Sequence, residues 1–469
     1  MVEKFLDVET YLDLSPSQLA NTTLQCPYCG RSHSIPFKVV KAGHDLVNFI
    51  PQVVPEITGK ETHQIGIVYD RHIEEKLDDL FFRPFNSLGL PSVRIPLGER
   101  GHLLEPAVEI GDKAAHDLSD AVDFLIGVGS GVISDLTKWI ATKRNLPYIL
   151  MGTAASMNAY TSITGTMTEN NIKTSKWLDP ASGVLLDSTL LASAPTEMTC
   201  AGICDLLARN VSNADWKLSE IIRRTYFCPF PFMMMKPYQE RFSRQSSALG
   251  HNEVTAMQDL GEAILVSGYS MTVLDGETSP SSGSEHVISH FFDFQHEVFD
   301  RPKNLHGTQV GIGTILMSTA FEILRQVDPK RIDPDDLMQR RLSQTAISRD
   351  HRQVFGKYGK VFDKVIAKKR IPDDSYRDYI SLILDSWDDM WKSINPYLLP
   401  SKTIRQIMAD AGAVTNLSGI HRSPDDTIQA LLYGANYRSR YTILDLFWEL
   451  GLFPKLATQI LVQSKVIDF

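Results

Sequence analysis

Three histidines and one aspartate carry the chemistry most open to reading in this chain. The run Ser282-Gly-Ser-Glu-His-Val-Ile-Ser-His290 contains His286 and His290, and Leu305-His-Gly-Thr308 contains His306. Upstream, Asp205 sits in the apolar, helix-patterned run Ala201-Gly-Ile-Cys-Asp-Leu-Leu-Ala208. One carboxylate and two imidazoles, Asp205, His286 and His306, form a donor set for a divalent metal with a position left for substrate. A buried carboxylate is costly without a cation or strong donors, and Arg209, four residues on, is the other candidate to supply that cation. His290 lies one helical turn from His286 on the same face, placed either to relay a proton or to support the ligand.

A second constellation is Gly127-Val-Gly-Ser-Gly131, which closes an apolar strand and opens a helix. Glycine lets backbone N–H groups approach a pyrophosphate, and the helix N-terminus that follows favours its charge. Ser134 and Asp135 are placed to cap that helix. The usual acidic residue for gripping a ribose is missing; Arg144 and Asn145 stand in the expected region. A phosphate loop upstream of a metal set points to a metal-assisted dehydrogenase. Cys26-Pro-Tyr-Cys29 with His33 resembles half a zinc ribbon, with His44 as the nearby candidate for a fourth ligand. Without a second Cys-x-x-Cys, the sequence reading is a small N-terminal hairpin with reduced thiols. Lys173 and Lys176 fall in a later hairpin, where a phosphate contact is one reading and ordinary surface charge the other.

The elements that must position these groups fall into two parts. Strands are expected over residues 64–70, 92–97, 123–129, 148–153 and 184–187. They alternate with helices over 73–88, 105–116 and 132–144, and a polar hairpin spans 161–177. This is the pattern of a mostly parallel, Rossmann-like sheet, with ligands beyond the strand ends where 127–131 and 153–156 lie. After about residue 190 strand signals stop. Helices are expected over 198–222, 252–275, 311–327, 375–394 and 403–413, with a charged, solvated helical insertion at 328–372. The division is therefore an α/β domain over 1–190 and an all-α domain over 191–469. At 469 residues, two domains are the prior; 43% hydrophobic and 22% charged residues describe a globular chain. A net charge of −9 argues against a nucleic-acid partner. Five cysteines, Cys26, Cys29, Cys200, Cys204 and Cys228, read as cytosolic thiols, not as a disulfide framework. The first seven residues lack a leader-like apolar core, and no apolar run approaches the ~20 residues of a membrane helix. The location expected is the cytoplasm.

Taken together, Gly127–Leu136, Ala154-Ala-Ser-Met-Asn158, Asp205-Leu-Leu, Ala214-Asp-Trp-Lys217, Ser282–His286, Leu305-His-Gly307 and Arg440–Leu446 resemble the sn-glycerol-1-phosphate dehydrogenase family. That family belongs to the iron-containing alcohol dehydrogenase and dehydroquinate synthase-like superfamily, and the similarity runs over roughly residues 20–455. The resemblance implies a dehydroquinate synthase-like two-domain fold, NAD or NADP, and one divalent ion, zinc foremost, with nickel or iron as others. It places the metal on Asp205, His286 and His306, and the dinucleotide on Gly129, Ser130, Gly131 and Asp135, with Thr153 and Ser156 lining its site. It implies oxidation of a small phosphorylated polyol to dihydroxyacetone phosphate or a related ketone, and a role in phospholipid metabolism. The sequence does not encode the assembly legibly; a homodimer is the default because dimers are commonest. The chain departs from the family pattern at Asn158, Cys204, Arg209 and Thr278-Ser-Pro280. Asn158 and Lys173 are the candidate substrate contacts. Two other readings stand beside this one: an NAD- and metal-dependent sugar-phosphate cyclase on the same fold, and a catalytically inactive binding homologue.

Overall fold

The computed structural model describes residues 8–59, 64–169 and 172–467; residues 1–7, the region of the leader reading, lie outside them. The chain forms two compact units. The first comprises Met1–Leu206 and Cys228–Thr278, the second Leu207–Phe227 and Ser279–Phe469. No helix among the described residues is long and apolar enough to cross a membrane.

The strands of the first unit are β1 (Thr22–Gln25), β2 (Ser32–Ile35), β3 (Val39–Gly43), β4 (Ile65–Asp70), β5 (Ser92–Leu97), β6 (Phe124–Gly129), β7 (Tyr148–Gly152), β8 (Thr164–Glu169), β9 (Ile172–Trp177) and β10 (Gly183–Asp187). β1 and β2 form one antiparallel hairpin and β8 and β9 another. The other six make a parallel sheet in the order β3-β10-β7-β6-β4-β5. Every residue of β6, β7 and β10 is buried, as parallel strands covered on both faces require. The chain runs outward from β4 to β5, then returns to place β6 on the other side of β4. The crevice for a ligand in such a sheet opens at that reversal, beyond the strand ends, and the glycine turn after β6 stands there. The five strands expected from the sequence are all present within a residue or so of their expected ends. The sheet's edge strand β3 was not anticipated, because Val39-Val-Lys-Ala-Gly43 is too short and unalternating to announce itself.

The helices used below are, in chain order, α1 (Gly131–Arg144), α2 (Thr196–Leu207), α3 (Arg209–Arg223), α4 (Phe230–Arg244), α5 (Val254–Thr272), α6 (Ser284–Phe299) and α7 (His306–Arg325). The expected division near residue 190 is not where the chain divides. α2 stays with the sheet up to Leu206, and α4 and α5 return to it. The cause is burial: α5 is apolar around most of its circumference, with Leu260, Ile264 and Leu265 fully buried, and it covers β3 and β10. The single helix expected over 198–222 is broken at Ala208 into α2 and α3.

Among its described residues the second unit is helical. The 328–372 insertion does form helices, Pro334–Arg340, Gln344–Phe355 and Asp363–Lys369. It is less solvated than its charge suggested. Phe355 and Phe362 are buried, each with its ring centroid 5.4 Å from that of Phe294 in α6, and Lys369 Nζ lies 2.8 Å from Asp445 Oδ1.

In the first unit a Cβ on Gly202 would stand 1.7 Å from the Ala155 carbonyl oxygen, so α2 can lie against the 154–156 loop only with glycine at that position. Gly202→Ala should therefore destabilise the protein by about 1–3 kcal/mol through overpacking. Gly261→Ala in α5, whose nearest neighbours would be Ala42 and Leu191 at 3.4 Å, should be neutral or stabilising by up to about 1 kcal/mol. Unfolding curves of the two variants in urea check this contrast; matching midpoints would contradict the close approach.

Candidate metal and cofactor sites

The histidines gather in the second unit, on a helix start built around Asp215 of α3. Asp215 Oδ2 accepts from the Ser284 N–H at 2.6 Å, and Oδ1 accepts from the Ile443 N–H at 2.7 Å. One buried carboxylate thus caps α6 and the helix Ile443–Glu449, satisfying backbone donors that neither helix can pair internally. Desolvation, followed by the charge of Glu285, pushes its carboxyl up to about 7. The fit excludes a side chain at Gly283, where a Cβ would come within 2.7 Å of both Asp215 Oδ2 and Ser212 Cα.

Glu285 follows, completely buried. Its Oε1 accepts from the Gly283 N–H at 2.7 Å and lies 2.7 Å from His286 Nδ1. A carboxylate in this position accepts, so the hydrogen is assigned to Nδ1 and the lone pair to Nε2. This is the arrangement that orients and strengthens a metal-binding imidazole. The His286 and His306 ring centroids are 5.2 Å apart. His290 stands 6.2 Å from His286 and 5.6 Å from His306. Ligand atoms of His290, Asp293 and His306 lie within 4.8 Å of one another. Burial lowers the His290 pKa to about 4, against the opposing hydrogen bond of Asp293. His290 is therefore neutral near pH 7. α7, which begins at His306, lies so close to α6 that a Cβ on Gly313 would be 2.5 Å from the Glu285 carbonyl oxygen.

Asp205 belongs to the first unit, buried in the last turn of α2, two residues before the chain enters the second unit at Leu207. Arg209 is buried in the second unit, where its guanidinium donates to Ser281 Oγ at 2.9 Å.

The glycine turn lies wholly in the first unit. Gly129 ends β6, Ser130 is the N-cap of α1 without a side-chain cap bond, and Gly131 begins the helix. A Cβ on Gly129 would meet Ile133 at 2.5 Å, and one on Gly127 would meet Thr137 Oγ1 at 2.4 Å, so the strand-to-helix turn is as tight as a phosphate cradle requires. At Gly131 the nearest neighbour of a Cβ would be the Met157 side chain at 3.4 Å, which brings the 156–158 segment beside the turn. The Thr153 N–H donates to the Gly129 carbonyl at 3.1 Å. Gly129, Ser130, Gly131 and Thr153 are therefore neighbours, with Ser156 half-buried just beyond. These residues fit a dinucleotide pyrophosphate.

Two residues expected at ligand contacts also have protein partners. Asp135 faces inward: its Oδ2 accepts from the Thr166 N–H at 3.1 Å, and Lys138 Nζ is 4.0 Å from its Oδ1. Lys138 also donates to the carbonyls of Ala159 at 2.6 Å and Thr164 at 3.1 Å. The pair anchors β8 to α1, and burial pushes Asp135 up to about 6 and Lys138 down to about 8. Asn158 donates to Ser267 Oγ of α5 at 2.9 Å. Lys173 is on β9 opposite Thr168, and its side chain lies outside those described. The sequence reading missed Glu285 and Asp215. Glu285 had a signal, an acid immediately before a ligand-type histidine; Asp215 had only its place in Ala214-Asp-Trp.

With this geometry in view, the similarities to known proteins are specific. A family model described as iron-containing alcohol dehydrogenase matches residues 45–195, which include β4 through β10 and the glycine turn. The glycerol-1-phosphate dehydrogenase (NAD(P)+) of Halalkalibacterium halodurans is 27% identical over 296 residues, 63% of this chain and 73% of that enzyme. The Bacillus subtilis enzyme of the same name is 31% identical over 235 residues, 48% of this chain and 59% of its own length. Among solved structures, a sulfoacetaldehyde reductase from Bifidobacterium kashiwanohense in complex with NAD+ superposes with a TM-score of 0.58 at 14% identity, covering 91% of this chain and 98% of that one. Glycerol dehydrogenase from Schizosaccharomyces pombe gives 0.54 at 15% identity, covering 92% and 94%. At such identities these structures speak to the fold alone.

Because Asp215 satisfies two buried N–H groups at once, Asp215→Ala should cost about 2–4 kcal/mol. Chemical denaturation measures the loss, and a change below 1 kcal/mol would contradict the double cap.

Proposed function

We propose that this chain, a divergent relative of the glycerol-1-phosphate dehydrogenases and an NAD(P)- and metal-dependent oxidoreductase, interconverts a small polyol phosphate and its ketone. Glycerol 1-phosphate and dihydroxyacetone phosphate are the first pair to test. The observation that carries the reading is the His286 ring, fixed through Nδ1 by buried Glu285 and facing His306. Asp205, His286 and His306 are the residues proposed to hold one divalent ion, zinc foremost. An oxygen donor with two imidazoles is a set this ion accepts. When bound, the ion supplies Lewis acidity at a substrate hydroxyl and the nicotinamide supplies the redox chemistry.

The protein's own contributions are positional. Glu285 keeps the proton on His286 Nδ1 and so keeps Nε2 a donor. The turn from Gly129 to Gly131, with Thr153 and Ser156, is proposed to seat the pyrophosphate. Neutral His290, one turn from His286, is proposed to relay onward the proton released when an alcohol is oxidised. Asn158 is proposed to influence the substrate side through the loop it holds.

The direct test is absorbance at the nicotinamide band with each phosphate and each cofactor, for wild type and variants. Wild type should show net conversion of free NAD(P); a cyclase would show none. His286→Ala should abolish turnover, and unchanged turnover in that variant would sink the assignment. Glu285→Gln should retain the fold while weakening metal affinity about 10–100-fold, read by competition with a metal buffer.

A further inference from the structure

The four side chains Cys26, Cys29, His33 and Cys228 converge inside the first unit, and none of them has a role assigned above. Their ligand atoms all lie within 4.8 Å of one another. Cys26 Sγ is 3.7 Å from Cys228 Sγ, while His33 Nε2 is 3.4 Å from Cys29 Sγ and 3.5 Å from Cys228 Sγ. Ideal tetrahedral zinc, with bonds of about 2.3 Å to sulfur and about 2.0–2.1 Å to nitrogen, requires edges of about 3.8 Å between sulfurs and about 3.5 Å between sulfur and nitrogen. The three distances agree with those edges to about 0.1 Å. None of the five cysteines is in a disulfide.

The surroundings are those of a metal cage. His33 is buried, and its Nδ1 lies 2.7 Å from the Val273 carbonyl oxygen, just past the end of α5. A carbonyl only accepts, so the hydrogen belongs on Nδ1 and the Nε2 lone pair faces the sulfurs. The His33 ring is further held by stacking on Phe230, with centroids 5.6 Å apart and planes 10° from parallel. The Cys26–Cys29 segment turns back on itself: the Gly30 N–H donates to the Cys26 carbonyl at 2.9 Å, and Gly30 takes φ +70°, which glycine adopts without strain. Backbone N–H groups of Tyr28 and Cys29 face the Cys26 sulfur, and that of Phe230 faces the Cys228 sulfur, as suits thiolates.

We infer that Cys26, Cys29, His33 and Cys228 form a closed, structural zinc site that fastens the β1–β2 hairpin to the segment leading into α4. All four positions come from the protein, so no substrate site is left, and the ion's role is to close a loop between residues 202 apart in sequence. The fourth ligand in this inference is Cys228 in place of His44, and Cys26 and Cys29 of the hairpin serve as ligands.

The inference is independent of the proposed activity, because the two sites differ in donors. Full-length wild-type protein, purified without chelator, should release one zinc per chain when its thiolates are capped by an organomercurial in the presence of a colorimetric zinc indicator. Cobalt-substituted protein should show sulfur-to-cobalt charge transfer in the near ultraviolet. His286→Ala should keep both signals even if turnover is lost; Cys228→Ser should lose both and melt at lower temperature. If Cys228→Ser does not fold, the wild-type release alone decides. Mercurial titration of the sulfurs with no zinc released, or recovery of Cys26 and Cys228 as an oxidised pair, overturns the site.

Discussion

One hydrogen bond governs the chemistry assigned to the second unit: the contact between Glu285 and His286 Nδ1. Glu285 is fully buried, which is costly for a carboxylate, and both of its contacts fall on Oε1. Gly283 engages it through the backbone and His286 through the ring. The cost of burying the acid is thereby converted into a fixed tautomer. The constraint reaches outward. Gly283 has no room for a side chain beside Asp215, and Gly313 has none beside the Glu285 backbone. The start of α6 is consequently set from two sides by contacts at van der Waals limits, and interiors of that density do not adjust by fractions of an ångström without cost.

The first unit obeys a different constraint, close approach of backbones. Gly127 and Gly129 let β6 turn directly into α1, and Gly202 lets α2 rest against the loop after β7. Inward-facing charge then fixes what hangs from this frame. Asp135 and Lys138, both buried, hold β8 and the short turn at Ala159–Thr161 by three backbone groups. The salt bridge itself is long, 4.0 Å, and its value lies in those satisfied carbonyls and amides more than in the ion pair.

Local order along the chain shows how much was legible. The strand Ser92–Leu97 and the glycine turn were readable because their signals are contiguous: a β-patterned run, then glycines before a helix. His286, His290 and His306 were readable as a group because two share a helix face and the third opens the next long helix. What escaped needed distant partners. Cys228 lies about two hundred residues from Cys26 and shows no spacing motif of its own. Asp135 looked like a cap on α1, yet its carboxylate turns to β8, a choice made by tertiary packing. The boundary near residue 190 followed the end of strand signals, whereas the sheet's need for cover draws α5 back into the first unit. Charge in the 328–372 stretch masked Phe355 and Phe362, whose burial beside Phe294 depends on residues far away in sequence.

The first unit is discontinuous: the chain departs at Leu206, returns at Cys228 and leaves again after Thr278. Vectorial synthesis therefore cannot finish it when its last strand emerges. The nascent sheet waits, one flank bare, until α5 leaves the ribosome, while the twenty-one residues between Leu207 and Phe227 must wait longer still for their own partners. Domains fold as units, at about 5–20 residues per second of elongation, so this threading gives a delay of several seconds in which apolar sheet surface is open to chaperones. A simple cut after β10 would leave that exposure permanent.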